Sequence, residues 1–399
     1  MIPALRSATS VPSCLGGHAV AAGTARGMFS GGAGGRFIMP GFWVKPPAVI
    51  PQFRTQGEDA VPVQEFTIDC RDYRPDSAPC AELVGRMEQV FKDKGVVRLS
   101  NTGLTEIGHM KNYAQTIIKQ QMKYEGGANP RNAVDQTIGN VYEVGAPNDA
   151  WLHYHHEMAY NEFSMKNIAF CSVKAPRGKG DTYLSENVSV TEDLLSTELG
   201  QKLKDKGVTY IRCLTDRDAY SNQGWKEGQA VYNHWQLSFG VDSADEAAEK
   251  ANECGLEVKW VEDPLKEGSH RYMQTKLTAD AFEYCPDINR NVLFSSIADH
   301  AMWFDTWQGM SHIPSEKRPL SMTFGDGTPF TMSELRQWVA AYDRGGIKVR
   351  WQEGDILAFC NYRYAHGRPA FDLQKWEERQ IGVLLGEKFM RVGARPGAW

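Results

Sequence analysis

Apolar and polar positions follow two different periods along this chain. In "CAELVGRMEQVFKDKG" the apolar residues Leu83, Val84, Met87, Val90 and Phe91 recur at helical spacing, and Gly95 supplies a stop signal. "VVRLS" (96–100) follows as an apolar run of strand length, and "EIGHMKNYAQTIIKQQ" (106–121) returns to helical spacing. Residues 124–150 are rich in turn formers and lead into "WLHYHHEMAY" (151–160). Short strand-like runs bounded by turn signals come next: "KNIAFCSV", "VTYIRCL", "LEVKWV", "PLSMTFGDGTPF", "IKVRW", "DILAFCN" and "RQIGVLLGE". "ADEAAEKANECG" and "MSELRQWVAAYDRGG" interrupt them as helices, the second opened by a capping-box pair, Thr331 and Glu334. Many short strands with few long helices predict a mainly β chain with flanking helices, organised as a closed or double-sheet core. The segment at about 245–310 breaks the strand rhythm and is expected to be an insertion or lid over one end of that core.

Composition narrows the class without naming a chemistry. Apolar residues make up 42% and charged residues 23% of 399, the mix of a soluble globular protein of one large domain or two ordinary ones. A net charge of −5 argues against a general nucleic-acid binder or a polybasic membrane-surface protein. No apolar run approaches the ~20 residues that span a bilayer. Eight scattered cysteines without a C-x-x-C pair read as reduced thiols of an intracellular protein. Residues 1–57 differ from the rest: they carry Arg6, Arg26, Arg36, Lys45 and Arg54 but no acid before Glu58, among many Ser, Ala and Gly. That composition is expected of an organelle transit peptide, plastid or mitochondrial. A disordered leader on a cytoplasmic protein is the alternative. The folded domain is accordingly expected over 58–399.

Chemistry concentrates at "HYHHE". On a strand, residues two apart share a face with Cα atoms ~6.6 Å apart, so His153, His155 and Glu157 point one way and Tyr154 and His156 the other. Ligand atoms must come within ~2.0–2.2 Å of a metal, which residues four apart on a strand cannot both do. The local pair is therefore His153 with His155, or His155 with Glu157; the second also offsets part of a divalent charge. A third ligand has to come from a distance. His366 has the best context, just past the apolar strand of "GDILAFCNYRYAHGRPAF". Arg379 falls on the apolar face shared by Ile381, Val383 and Leu385, where a guanidinium is costly unless an anion meets it. Either a carboxylate of the protein or a carboxylate-bearing ligand supplies that anion.

The set His155-x-Glu157, His366 and Arg379 resembles the motifs of Fe(II)/2-oxoglutarate-dependent dioxygenases of the taurine-dioxygenase (TauD/TfdA-like) family. "HHEMAY" is similar to the clavaminate-synthase-like branch, whose carboxylate is Glu. The resemblance extends through "YEGGANPR" (124–131), "KGDTYL" (179–184), "TFGDGTPF" (323–330) and "GDILAFCNYRYAHGR" (354–368). "GKGDT" replaces the family's usual Gly-Gly-acid-Thr run, and "FCN" stands where an Asp-Asn pair is common. The resemblance implies a double-stranded β-helix (jelly-roll, cupin-like) core. It also implies Fe(II) held by His155, Glu157 and His366, with O2 and 2-oxoglutarate as reactants. The far carboxylate of 2-oxoglutarate would then meet Arg379 and Thr182. The implied reaction is hydroxylation, desaturation or cyclisation of a small metabolite, with release of succinate and CO2. Glu157 favours hydroxylation, since related halogenases lack the carboxylate. Arg131, Asn140, Tyr142, Asn361 and Arg368 are candidate substrate contacts around this centre. A zinc hydrolase built on the same three ligands, or a catalytically silent ligand-binding barrel, are the competing readings.

Overall fold

The computed structural model describes residues 38–39, 42–43, 49–124, 134, 138–144, 148, 151–217, 234–262, 271–296 and 314–399. Two sheets form the core. The larger has six strands in the order β1 (Thr67–Asp69), β2 (Val96–Ser100), β14 (Ile356–Cys360), β5 (Phe163–Lys174), β16 (Gln380–Met390) and β3 (Tyr142–Glu143). All neighbours are antiparallel except β1 with β2. The smaller sheet has four antiparallel strands in the order β13 (Gly346–Val349), β6 (Thr182–Glu186), β15 (Tyr364–Arg368) and β4 (Leu152–His155).

The larger sheet is covered on both faces, which explains why "ILAFC" is buried throughout instead of alternating. Phe170, Leu357, Phe359, Ile381, Val383 and Leu385 face the inner core, together with Tyr154 and Leu184 of the smaller sheet. Ala169, Cys171, Ile356, Ala358 and Leu384 face the opposite way, onto α1 (Ala81–Lys94) and α2 (Ile107–Ala114). Helix α1 buries Leu83 and Met87, and Gly95 ends it in the left-handed conformation (φ 72°) as expected. Helix α2 stops at Ala114, seven residues short of the predicted end. There the Thr116 hydroxyl donates to the Tyr113 carbonyl, and Met122 N–H donates to Leu385 O, drawing residues 118–122 alongside β16.

Between β6 and β13 the chain leaves the two-sheet core. It forms α3 (Asn187–Leu195), α4 (Glu198–Lys206) and a third antiparallel sheet ordered β8 (Glu257–Glu262), β9 (Arg271–Ala279), β7 (Val208–Leu214) and β12 (Leu320–Phe324). The short α5 (Trp235–Phe239), α6 (Ala244–Glu253) and the hairpin β10 (Phe282–Cys285) with β11 (Arg290–Leu293) complete it. The expected insertion at about 245–310 is thus part of a longer departure, from Asn187 to Arg344. Sequence periodicity missed its extent because the insert's strands carry the same apolar rhythm as the core. Residues 263–270 and 297–313 lie outside the described residues. Helix α7 (Met332–Arg344) closes the insert, with both halves of the Thr331–Glu334 capping box formed. No helix among the described residues is long and apolar enough to cross a membrane.

The boundary expected at residue 57 falls inside packed chain. Val49 and Phe53 are buried, and Phe53 packs on Tyr183 (4.8 Å between centroids) and Tyr154 (5.2 Å). Asp343 of α7 accepts from the backbone N–H groups of Gln52 and Phe53, and Gly57 N–H donates to Gly346 O beside β13. Composition could not show this, because the segment is held by backbone groups and two apolar anchors. Leader residues 1–37, 40–41 and 44–48 lie outside the described residues. Phe53→Ala is expected to lower stability by about 3 kcal/mol, the low end for a buried phenylalanine truncated in a core, as read by denaturant unfolding.

Candidate metal centre and anion site

Strand pairing brings the two histidines together. His155, the last residue of β4, is the Cα partner of His366 in β15, and their ring centroids are 4.2 Å apart. Four residues of β4 (Leu152 to His155) lie against three of β15 (Arg368 to His366), so the pairing contains a bulge and strict alternation is broken. His153 therefore does not join the site. Its Nε2 donates to the Val49 carbonyl at 3.1 Å, and burial pushes its pKa down to about 4. The open choice between the two local pairs resolves to His155 with Glu157.

Glu157 stands in the turn that follows β4 rather than on the strand, with Met158 left-handed at φ 55°. This corrects the expectation of a straight strand through residue 157. The glutamate is buried, and its Oε2 lies 3.9 Å from His366 Nε2. One donor atom from each of His155, Glu157 and His366 lies within 4.8 Å of the others. Adjacent ligands of one ion stand ~3.0–3.4 Å apart at ~2.1 Å bonds, so the three atoms need only a small inward shift to share an ion. His155 Nδ1 sits 2.8 Å from the His153 carbonyl oxygen, so this nitrogen carries the proton and the Nε2 lone pair is left for a metal. Phe170 and Phe359 pack on the His366 ring, each at 5.5 Å, and keep its orientation fixed. Two imidazoles and one carboxylate suit a divalent first-row metal. His156 takes no part. Its Nδ1 accepts from Ser295 N–H at 3.2 Å, its backbone N–H donates to Ser295 O, and burial pushes its pKa down to about 3.

A second feature lies one diagonal step away. Leu184 of β6 is the partner of His366, and Thr182 shares its face two residues along. Diagonal neighbours of this kind are ~7–8 Å apart. Thr182 is buried, and its Oγ1 accepts from Trp351 Nε1–H at 3.0 Å, which directs the hydroxyl proton elsewhere. Arg379, just before β16, turns its half-buried side chain toward the same loop, and its Nε donates to Gly180 O at 3.2 Å. Phe371 packs over the guanidinium at 5.6 Å. Gly180 is left-handed (φ 73°), and a Cβ there would stand 3.0 Å from Arg379 Cδ, so a side chain would crowd the arginine.

Among the described residues no carboxylate forms an ion pair with Arg379. The nearby Asp181 is engaged by Lys348 at 3.0 Å and Arg350 at 3.4 Å. Burial lowers the Arg379 pKa to about 10, with Asp181 opposing the shift. This leaves the guanidinium without an acidic partner among the described residues, which is costly unless an anion meets it. Trp351 and Gly180 were not singled out from the sequence; the glycines of "GKGDT" were the signal for one, and nothing local marks the other.

The remaining candidates fare differently. Arg131 lies outside the described residues. Asn140 is left-handed and accepts from the Tyr142 hydroxyl at 3.3 Å, while that hydroxyl accepts from Tyr124 N–H at 3.0 Å. Tyr142 pairs with Val383 and so shares its inward face. Two candidates need correction as substrate contacts. Asn361 is fully buried and spends its amide on Glu157 and its surroundings. Arg368 is buried and donates to the carbonyls of Asn148 and Pro369, so it ties a loop in place.

The chain is similar to several known proteins. A clavaminate synthase-like protein from Arabidopsis thaliana is 24% identical over 290 residues, covering 72% of this chain and 81% of the relative. The dapdiamide synthesis protein DdaC of Enterobacter agglomerans is 20% identical over 314 residues, covering 75% and 84%. The crystal structure of a taurine dioxygenase from Burkholderia xenovorans aligns at a TM-score of 0.44 and 12% identity, over 90% of this chain and 93% of that one. The family model described as taurine catabolism dioxygenase TauD, TfdA family, matches residues 62–383, and the chain belongs to that family of dioxygenases.

Proposed function

We propose that this protein is a non-haem Fe(II)- and 2-oxoglutarate-dependent oxygenase acting on a small metabolite. The observation that carries the reading is the pairing of a His155–Glu157–His366 donor set with a half-buried Arg379 near Thr182 that has no carboxylate partner among the described residues. When bound, Fe(II) and 2-oxoglutarate supply oxygen activation coupled to decarboxylation, which yields succinate and CO2.

The chain's own residues do the placing. His155 and His366 present neutral nitrogens, and Glu157 offsets one unit of the ion's charge. Glu157 also occupies the ligand position that carboxylate-lacking halogenases leave to halide, which favours hydroxylation, with desaturation or cyclisation as related outcomes. Arg379 would hold the far carboxylate of the cosubstrate through its guanidinium N–H donors, and the Thr182 hydroxyl would add a further bond. Phe170, Phe359 and Trp351 make the wall apolar and keep water from the reacting face. A zinc hydrolase would use the same three ligands but leaves the Arg379–Thr182 arrangement without a task. In this reading the acid-free residues ahead of the packed Val49 are an organelle address, plastid or mitochondrial.

The test is anaerobic addition of Fe(II) and 2-oxoglutarate, with a weak visible charge-transfer band expected. Absence of the band, or activity sustained by zinc alone, would end the proposal. Metabolite screening for substrate-stimulated succinate release then defines the substrate class.

A further inference from the structure

The three candidate ligands are not equally well built. His155 and His366 are fixed by the ladder that pairs β4 with β15. Glu157 stands off that ladder, in a turn containing a left-handed methionine, where no strand neighbour sets its direction. Its backbone is gripped from another part of the chain. Asn361 Oδ1 accepts from Glu157 N–H at 3.0 Å, and Asn361 Nδ2 donates to Glu157 O at 3.2 Å and to Met165 O at 3.0 Å. Ser164 Oγ donates to the same Glu157 carbonyl at 2.8 Å. The amide orientation is set by these partners, since reversing it would put oxygen against two carbonyls.

We propose that Asn361 is the positioning residue of the Glu157 carboxylate. It occupies the corner between β14 and β15, five residues before His366, and its own N–H donates to Lys166 O at 2.7 Å. The short crossover from the larger sheet to the smaller thus delivers a ligand and also clamps the backbone of another ligand 204 positions away. Only a side chain with both an acceptor and donors satisfies both backbone groups of Glu157, which selects an amide over a carboxylate. An aspartate would meet the N–H but repel the two carbonyls and place a second anion behind the metal-binding one. This inference rests on the metal-centre reading above.

The test uses the full chain, free of metal, titrated with Co(II) and followed by visible absorption, with Glu157→Ala as the reference for a lost carboxylate. Asn361→Asp is expected to weaken Co(II) binding about 10- to 100-fold, the range for outer groups that orient a ligand. Its Co(II) spectrum should move toward that of Glu157→Ala. A merely structural asparagine would lower the melting temperature of the metal-free protein while leaving Co(II) affinity and spectrum as in the wild type, and that result overturns the proposal. Should Asn361→Asp not fold, Ser164→Ala decides. It loosens the same carbonyl, is expected to cost a smaller but measurable part of the Co(II) affinity, and wild-type affinity there would also overturn the clamp. Failure of the wild type itself to bind Co(II) would instead remove the metal centre, and this inference with it.

Discussion

Replacing His366 by alanine is expected to leave a folded protein that neither holds a divalent metal tightly nor turns over. The substitution takes away one of three donors and leaves His155 and Glu157, two positions apart in sequence. Removing outer groups around a metal already costs 10- to 100-fold in affinity, so loss of a ligand itself should exceed about 100-fold. Turnover should fall by about 1000-fold or more, since all oxygen chemistry is assigned to the metal. The ring also fills space against Phe170 and Phe359, so a stability loss of about 2 kcal/mol is expected from the cavity. Isothermal titration with metal, beside a melting curve, separates the two effects. Partial recovery of binding with added imidazole would support the ligand role. Near-native metal affinity in the alanine variant would show that a different group completes the site.

Arg379→Ala is the second large effect, and it should leave the metal alone. Truncating one partner of a buried charged pair costs about 2–4 kcal/mol, which corresponds to about a 30- to 1000-fold higher 2-oxoglutarate requirement. Metal affinity should stay within about twofold, because no contact links the guanidinium to the donor set in the residues described. Equal loss of both would deny Arg379 its assignment. Arg379→Lys should recover part of the affinity as a point charge without the planar fork. The pH dependence follows from the sign of the shift. Burial lowers the Arg379 pKa to about 10, so the cation that binds the carboxylate persists through neutral pH and is lost as pH rises through that value. Cosubstrate affinity should be flat from about pH 7 to 9 and fall beyond. The lysine variant should fall earlier, since burial also lowers its smaller starting pKa.

Much of this centre was legible in the sequence because its parts are short-range or chemically exposed by context. An H-x-E pair limits which ligands can converge. His366 follows an apolar strand, and Arg379 precedes Ile381, Val383 and Leu385, which do face the inner core. Gly95 and the Thr331–Glu334 box announced helix ends that the structure contains. The misreading of side-chain directions at residues 153–157 has a local cause. A bulge in β4 and a turn at residues 156–160 changed which way side chains point, and neither leaves a mark in hydrophobic periodicity. Asn361 and Arg368 looked like substrate contacts because polar residues beside a ligand are ambiguous until their hydrogen bonds are seen.

By itself, the amino-acid order determined the repertoire: a β-rich core, two imidazoles and a carboxylate suited to one metal, and an arginine in step with an apolar face. Tertiary structure decided the assignments. Pairing of β4 with β15 set His155 against His366 and sent His153 to Val49, and engagement of Asp181 by Lys348 and Arg350 left Arg379 without a carboxylate partner among the described residues. The reason is that ligand geometry and charge compensation depend on contacts between residues hundreds of positions apart. Local periodicity reports which face is buried, but not what waits on the other side.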